Sequence, residues 1–381
     1  MAAPFCAMQL ADLGADVIKI ENPDGGDLVR SSGPFIDGES SPFVRFNRNK
    51  RSLALNLKAP EGKAIFRKLA AAADVIVENM RPGTMADLSL DYASLAAENH
   101  GLIYVAASGW GQEGPYSQLP GLDIMAQGMS GLMSITGEAD GDPVKVGVPI
   151  TDLVCALYGA LAAVSALHVR DATGQGQFID VCLLEAGVSL AIWEAGQYFA
   201  TGEVPRPLGS AHRSSAPYQA IRASDGSFTV GASSPRNWAS FCAALGLEAL
   251  EHDPRFSANH LRVEHRAELI DLVEAVTISK SAAEWVSALQ EAGVPCGVLQ
   301  SYDQVFADPQ LTARDFFVDL PHPRLGPTRV IGSPMRLSAT PVRMSRAAPL
   351  LGQHSAEVLV ELGYSEGDVD RLIEAGVIGR S

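Results

Sequence analysis

The chain has 381 residues, 47% hydrophobic and 19% charged, which excludes a disordered chain and allows two domains with substantial cores. Its 29 basic and 44 acidic side chains give a net charge of −15 with no Lys/Arg-rich block. That balance excludes a nucleic-acid partner and requires a locally basic pocket for any anionic ligand.

Five dispersed cysteines without a CxxC spacing point to a reduced, cytoplasmic protein, and eight histidines without HExxH argue against a metal. The N-terminal stretch "MAAPFCAMQLADLGADVIKIE" has no basic n-region and does not read as a signal peptide. Short β-branched runs follow at "ADVIKIE" (15–21), "SLALNL" (52–57), "DVIVEN" (74–79) and "LIYVAAS" (102–108). Helical spacing separates them in "APEGKAIFRKLAAAA" and "GTMADLSLDYASLAAENHG". Alternating strands and helices predict an α/β fold, a Rossmann-like parallel sheet covered on both faces. Among these strands Arg48, Lys50, Arg51 and Lys58 form the densest basic cluster, read as a solvated turn or as an anchor for a phosphorylated ligand.

"GWGQEG" (109–114) matches GxGxxG after a strand, but Pro115 follows and no helix opens there. It reads as a glycine-rich strand-end loop rather than a dinucleotide fingerprint, so a nicotinamide dehydrogenase has little support. Leu153–Val169 is an uncharged run of 17 residues, short of the roughly 20 strongly apolar residues of a membrane span. It carries Tyr158, Ser165 and His168 and predicts a buried core helix of a soluble protein. Asp152 stands at the mouth of that run. Spacing alone favours a capping role for it; the chemical alternative is a nucleophile inside an apolar wall.

A turn, a strand and a buried helix are expected over "DATGQGQFIDVCLLEAGVSLAIWEAGQYFATG". Punctuated segments then divide the chain: a large α/β domain over 1–199, a linker at 200–215, a smaller α+β domain over 216–320 and a second linker at 321–349. A helical segment, 350–381, returns to the large domain.

Ten ordered motifs, among them "NRNKRSLALNLK", "DVIVENMRPGTM", "SGWGQEGPY", "GLDIMAQGMSGLMSITG", "ITDLVCALYGALAA" and "PLLGQHSAEVLVELGY", resemble a family III CoA transferase almost end to end. The group contains formyl-CoA and carnitine CoA transferases, with the α-methylacyl-CoA racemases as relatives. The resemblance implies a homodimer of interlocked rings, acyl-CoA and carboxylic acids as substrates and no tightly bound cofactor; the residue spacings above add no metal and no membrane partner. It places the nucleophilic aspartate on Asp152, which overrides the capping reading. It places CoA contacts on Leu55, Asn56, Lys58, Asn79 and Arg81, and an acidic neighbour of the nucleophile on Asp123.

Departures from the pattern are specific. The strand that usually precedes the "AAPF" block is missing, and Asn22 and Asp87 replace basic residues that contact CoA phosphates. Leu122 replaces the histidine that racemases place before the aspartate, so an acyl-CoA racemase is disfavoured. A non-catalytic acyl-CoA-binding protein is disfavoured by the intact Asp152 stretch. Stretches such as "GEADGDPVKVGVPITDL" look most like the branch that uses succinyl-CoA with glutarate, itaconate or mesaconate.

Overall fold

The structure, a computed structural model, describes residues 1–379. The chain divides into two units: 1–131 with 146–190 and 309–381, and 132–145 with 191–308.

The first unit opens with α1 (Ala2–Asp12), which leads into β1 (Val17–Glu21). β1 pairs in parallel with β2 (Lys50–Ala54), and α2 (Pro60–Ala72) follows, with proline in its first turn where no donor is lost. β3 (Val75–Glu78) and β4 (Ile103–Ser108) come next, joined by two short helices rather than one. Ser89 stands between those helices at φ 58°, which no continuous helix allows. α3 (Asp123–Met129) then leads to the 24-residue α4 (Ile150–Thr173), closed by Gly174 at φ 72°. β5 (Gln177–Cys182) pairs in parallel with β4, giving the order β3-β4-β5, and α5 (Leu183–Val188) follows.

One sheet face buries Ile103 and Val105 against Cys6 and Leu10 of α1 and Ala156, Ala160 and Ala163 of α4. The other face buries Tyr104 and Ala106 with Leu53, Leu55 and Ile65. The sheet is thus covered on both sides, as its continuous apolar strands require. Gly159 keeps the first layer close, since a Cβ there would stand 3.3 Å from Cys6 Sγ, tighter than ordinary contact. The buried core helix expected over 153–169 is buried on one side only, since Leu157, Tyr158, Leu161, Val164 and Val169 are exposed. α4 is long and apolar enough to cross a membrane by length and composition.

After residues 132–145, the second unit continues with α6 (Ile192–Thr201), which has no buried residue and so differs from the buried helix the sequence indicated. β6 (Tyr218–Ala223) and β7 (Gly226–Gly231) form an antiparallel hairpin, followed by α7 (Pro235–Leu245), α8 (Arg266–Thr277), α9 (Ala282–Glu291) and β8 (Cys296–Val298) beside β7. Phe228, Trp238, Phe241, Leu269, Val273 and Trp285 form its core.

Back in the first unit, β9 (Phe317–His322), which runs from the end of the stretch read as the small domain into the one read as a linker, pairs antiparallel with β10 (Gly326–Ile331) inside that linker. The last helical stretch is two helices, α10 (Ser355–Glu361) and α11 (Glu366–Glu374), broken at Gly363 with φ 86°. The second unit therefore starts earlier than the sequence division placed it, and residues 309–320 cluster with the first. Polar punctuation marks where regular elements stop, whereas unit membership follows which apolar faces meet.

Candidate active site

The first turn of α4 leaves backbone donors that no residue within the helix can satisfy. Pro149 stands at its N-cap and supplies no side-chain acceptor. The acceptor comes from another helix. Asp123 Oδ1 accepts from the Thr151 backbone N–H at 3.0 Å and from the Thr151 hydroxyl at 2.7 Å. Gln127, one turn along α3, donates Nε2 to Asp123 Oδ2 at 2.7 Å, and its Oε1 accepts from Val146 N–H at 2.8 Å. Asp123 therefore caps α4, and Asp152, one residue beyond Thr151, does not. No spacing rule finds this arrangement, because cap and helix are separated by a long loop.

Asp152 is half-buried and receives the backbone N–H of Ala2, at the first turn of α1. Two helix N-termini thus address one carboxylate. Burial nevertheless raises its pKa above the ordinary value, the Asp123 charge adds to the rise, and the Ala2 N–H opposes it. Ala2, Trp110, Ala126 and Cys155 pack together around this corner, and burial pushes the Cys155 thiol up to about 12, so it stays neutral. Gly187 of α5 is needed here for close approach: a Cβ would lie 2.5 Å from Ser130 Oγ and 3.1 Å from Thr151 Cγ2. A cavity of about 510 Å³ opens beside α4 one turn beyond Asp152, with Cys155, Tyr158, Asp180, Glu185 and Ser189 in its wall.

The residues matched to CoA contacts fall on two strand-end turns, the usual place for ligand loops in parallel sheets. Leu55, Asn56 and Lys58 follow β2. Leu55 is buried in the core, Asn56 Oδ1 closes the turn on Lys58 N–H at 3.0 Å, and the Lys58 side chain is exposed. Gly62 lets α2 press on this turn, since its Cβ would meet the Asn56 carbonyl. Asn79 and Arg81 follow β3 and are exposed, with Arg81 Nη2 donating to the Gln118 carbonyl. That bond links the second turn to the loop after β4, whose Gly109 passes Gly121 so closely that a Cβ would meet its Cα at 3.0 Å. Within the same loop, Gln112 N–H donates to Asp180 Oδ2 at 2.9 Å, a contact that sequence reading missed. No helix opens after Gly114, as expected.

The basic cluster corrects both readings offered for it. Arg48 is buried and holds Asp12 in two bonds of 2.5 and 3.0 Å. Lys50 is buried among the carbonyls of Pro4 (2.6 Å) and Phe46 (3.2 Å) and Asn47 Oδ1 (2.7 Å), and burial lowers its pKa well below the usual lysine value. Arg51 pairs with Asp16, Glu357 and Glu361. These three are neither a solvated turn nor a free anion site; they bind α1, β2 and α10 together. Through Pro4, Lys50 pins the start of α1 and hence the Ala2 N–H at Asp152. Among the described residues no three His, Cys, Asp or Glu side chains gather as metal ligands.

Residues 1–355 match the sequence model of CoA-transferase family III. The chain belongs to that family. The match to this CoA-transferase family extends to whole-length relatives. The chain is 40% identical to the mouse (Mus musculus) succinyl-CoA:glutarate CoA-transferase over 99% of its own length and 87% of that protein. It is 38% identical to the succinate–glutarate CoA-transferase of Agrobacterium fabrum, over 95% of this chain and 92% of that one. A crystal structure of a CAIB/BAIF family protein from Brucella suis superposes with a TM-score of 0.85 at 37% identity, covering 95% and 96% of the two chains. The family III enzyme described here is therefore a CoA-transferase with a mixed α/β fold.

Proposed function

We propose that this enzyme moves CoA from succinyl-CoA to a small dicarboxylic acid through covalent intermediates on Asp152. The observation that carries the proposal is the division of labour at α4: Asp123 takes the cap, and Asp152 keeps its charge half-buried and raised in pKa. The names of the relatives, which include glutarate, mesaconate and D-citramalate transferases, support the substrate class.

Each step conserves charge and electrons. Asp152 attacks the donor thioester carbonyl, the C–S bond breaks, and a mixed anhydride and CoA thiolate result. The thiolate attacks the aspartyl carbonyl, the donor acid leaves as carboxylate, and an aspartyl-CoA thioester remains. The acceptor carboxylate attacks that thioester, again releasing thiolate, and the thiolate takes the acceptor acyl group from the second anhydride. Asp152 returns as a free carboxylate. Covalent catalysis of this kind divides one difficult exchange into easier ones. Acylation also neutralises a carboxylate that burial and Asp123 disfavour, so the ground state is raised relative to each intermediate. Lys58, Asn79 and Arg81 would meet the CoA moiety along the two strand-end turns.

We further infer a cytoplasmic homodimer. The exposed apolar side of α4 supports a second chain against it, and five free cysteines fit a reducing compartment. A racemase is not favoured, because Leu122 carries no proton-transferring group beside Asp123.

The test is chemical trapping. Enzyme incubated with succinyl-CoA and then borohydride or hydroxylamine should show a modification on the peptide containing Asp152. An unmodified Asp152 peptide from an enzyme turning over succinyl-CoA would end the proposal.

A further inference from the structure

β2 pairs with β1 along one edge, and its other edge is closed by groups from residues 354–379. Alternate residues of that edge and of the turn beyond it, Ser52, Ala54 and Asn56, carry the donors and acceptors. Ser52 N–H donates to His354 Nδ1 at 3.1 Å, and its carbonyl accepts from His354 N–H at 2.9 Å. Ala54 N–H donates to Ser355 Oγ at 3.1 Å, while its carbonyl accepts from Gly379 N–H at 3.0 Å. Asn56 N–H donates to the Val377 carbonyl at 2.8 Å, and Leu55 and Ile378 face each other in an isolated antiparallel bridge. Residues 377–379 thus carry the closure past the end of β2 and into the turn matched to CoA contacts.

The segment that does this is itself held firmly. α11 ends on Gly376 at φ 66°, with Gly376 N–H on the Ile373 carbonyl (3.0 Å) and Val377 N–H on the Leu372 carbonyl (2.9 Å), the paired bonds of a Schellman cap. Val377 and Ile378 are buried in one core cluster with Leu53, Leu55 and Leu372. Gly379 passes so close to β2 that a Cβ there would lie 3.0 Å from Ala54 Cβ and 3.4 Å from Pro23 Cβ. From Asn56 the constraint runs on into the turn: its Oδ1 accepts Lys58 N–H at 3.0 Å, and its carbonyl accepts Ala59 N–H at 3.1 Å. Without the Val377 carbonyl, the donor at the base of the turn would lose its acceptor, and the exposed Lys58 would start from a less constrained backbone.

We propose that residues 377–379 form a clasp that sets the CoA turn, with the Val377 carbonyl positioning Asn56 and, through it, Lys58. The inference rests on the reading of Leu55, Asn56 and Lys58 as CoA contacts and deepens it, placing control of acyl-CoA affinity in a segment remote from the turn in sequence. Val377 touches no reacting atom; it is a positioning residue.

The test separates the clasp from stability. Gly379→Val drives the segment away from Ala54, whereas Val369→Ala removes apolar packing from the same core cluster and leaves residues 375–379 unchanged. Gly379→Val should raise the acyl-CoA KM by roughly fivefold or more, with kcat and the KM of the acceptor acid within about twofold of wild type. Gly379→Ala should fall between. Val369→Ala should lower the unfolding midpoint and leave the acyl-CoA KM in place. An acyl-CoA KM unmoved by Gly379→Val, or raised equally by Val369→Ala, would overturn the clasp, since affinity would then ignore it or follow stability alone. Should Gly379→Val not fold, amide hydrogen exchange of wild type decides. Coupling between binding and clasp is reciprocal, so saturating free CoA should slow exchange roughly fivefold or more over 54–58 and over 375–379 alike. Slowing over 54–58 with none over 375–379 rejects the clasp and leaves the CoA turn standing. Slowing at neither, with CoA bound, rejects the reading of the turn and the clasp with it.

Discussion

Two charged stretches of the first unit meet opposite fates. At Arg48–Arg51 every cation is consumed by the fold: Asp12, the Pro4 and Phe46 carbonyls, and the carboxylates of Asp16, Glu357 and Glu361 take their donors. At the start of α4 the reverse holds, because Asp123 supplies the cap and Asp152 is left with capacity for a reacting partner. Both stretches carry charge in a mostly apolar shell. What separates them is whether the protein itself fills the group's bonding capacity, and only an incompletely filled group has anything to offer a ligand.

The largest effect that could break this contrast is at Asp152. Asp152→Asn keeps the size of the side chain and leaves the Asp123 cap in place, so melting temperature should stay near wild type. CoA transfer should fall on the order of 10⁴-fold or more, as for a lost covalent nucleophile. A variant that loses stability but transfers CoA at a wild-type rate would make Asp152 structural after all.

Next in size is a paired comparison of Arg48→Ala with Lys58→Ala. Removing Arg48 strands a buried Asp12 and should cost about 3–5 kcal/mol in denaturant unfolding, with the acyl-CoA KM of the folded enzyme unchanged. Removing exposed Lys58 should leave the unfolding midpoint in place and raise the acyl-CoA KM roughly tenfold, as for one charge-assisted contact. The opposite assignment of the two effects would exchange their roles.

The smallest effect sharpens the relation between the two carboxylates. Asp123→Asn keeps an oxygen for the α4 cap, so stability should change little, and removes the charge that helps raise the Asp152 pKa. The nucleophile must be deprotonated, so the acidic limb of kcat/KM against pH should move to lower pH. A limb that stays in place would show that burial alone sets the Asp152 pKa.

The Brucella suis structure and the sequence motifs agree on fold, and the strands were legible because continuous β-branched runs have few alternatives. "DVIVEN" and "LIYVAAS" became β3 and β4 within about a residue of their expected ends. The breaks at Ser89 and Gly363 were not legible, since both lie inside otherwise helical spacing and are decided by backbone conformation. The amphipathic α6, which fully buries none of its residues, was read as buried because apolar content does not state what covers it.

For the site, sequence alone determined that an aspartate stands at the mouth of an apolar helix, and the ordered motifs identified its family. It also determined a parallel α/β sheet, because period and composition are local properties. Only the tertiary structure decided that Asp123 relieves Asp152 of the cap and that Lys50 secures the donor from Ala2. Those outcomes depend on which distant groups meet, and hydrogen-bond satisfaction is a property of neighbours in space rather than neighbours in sequence.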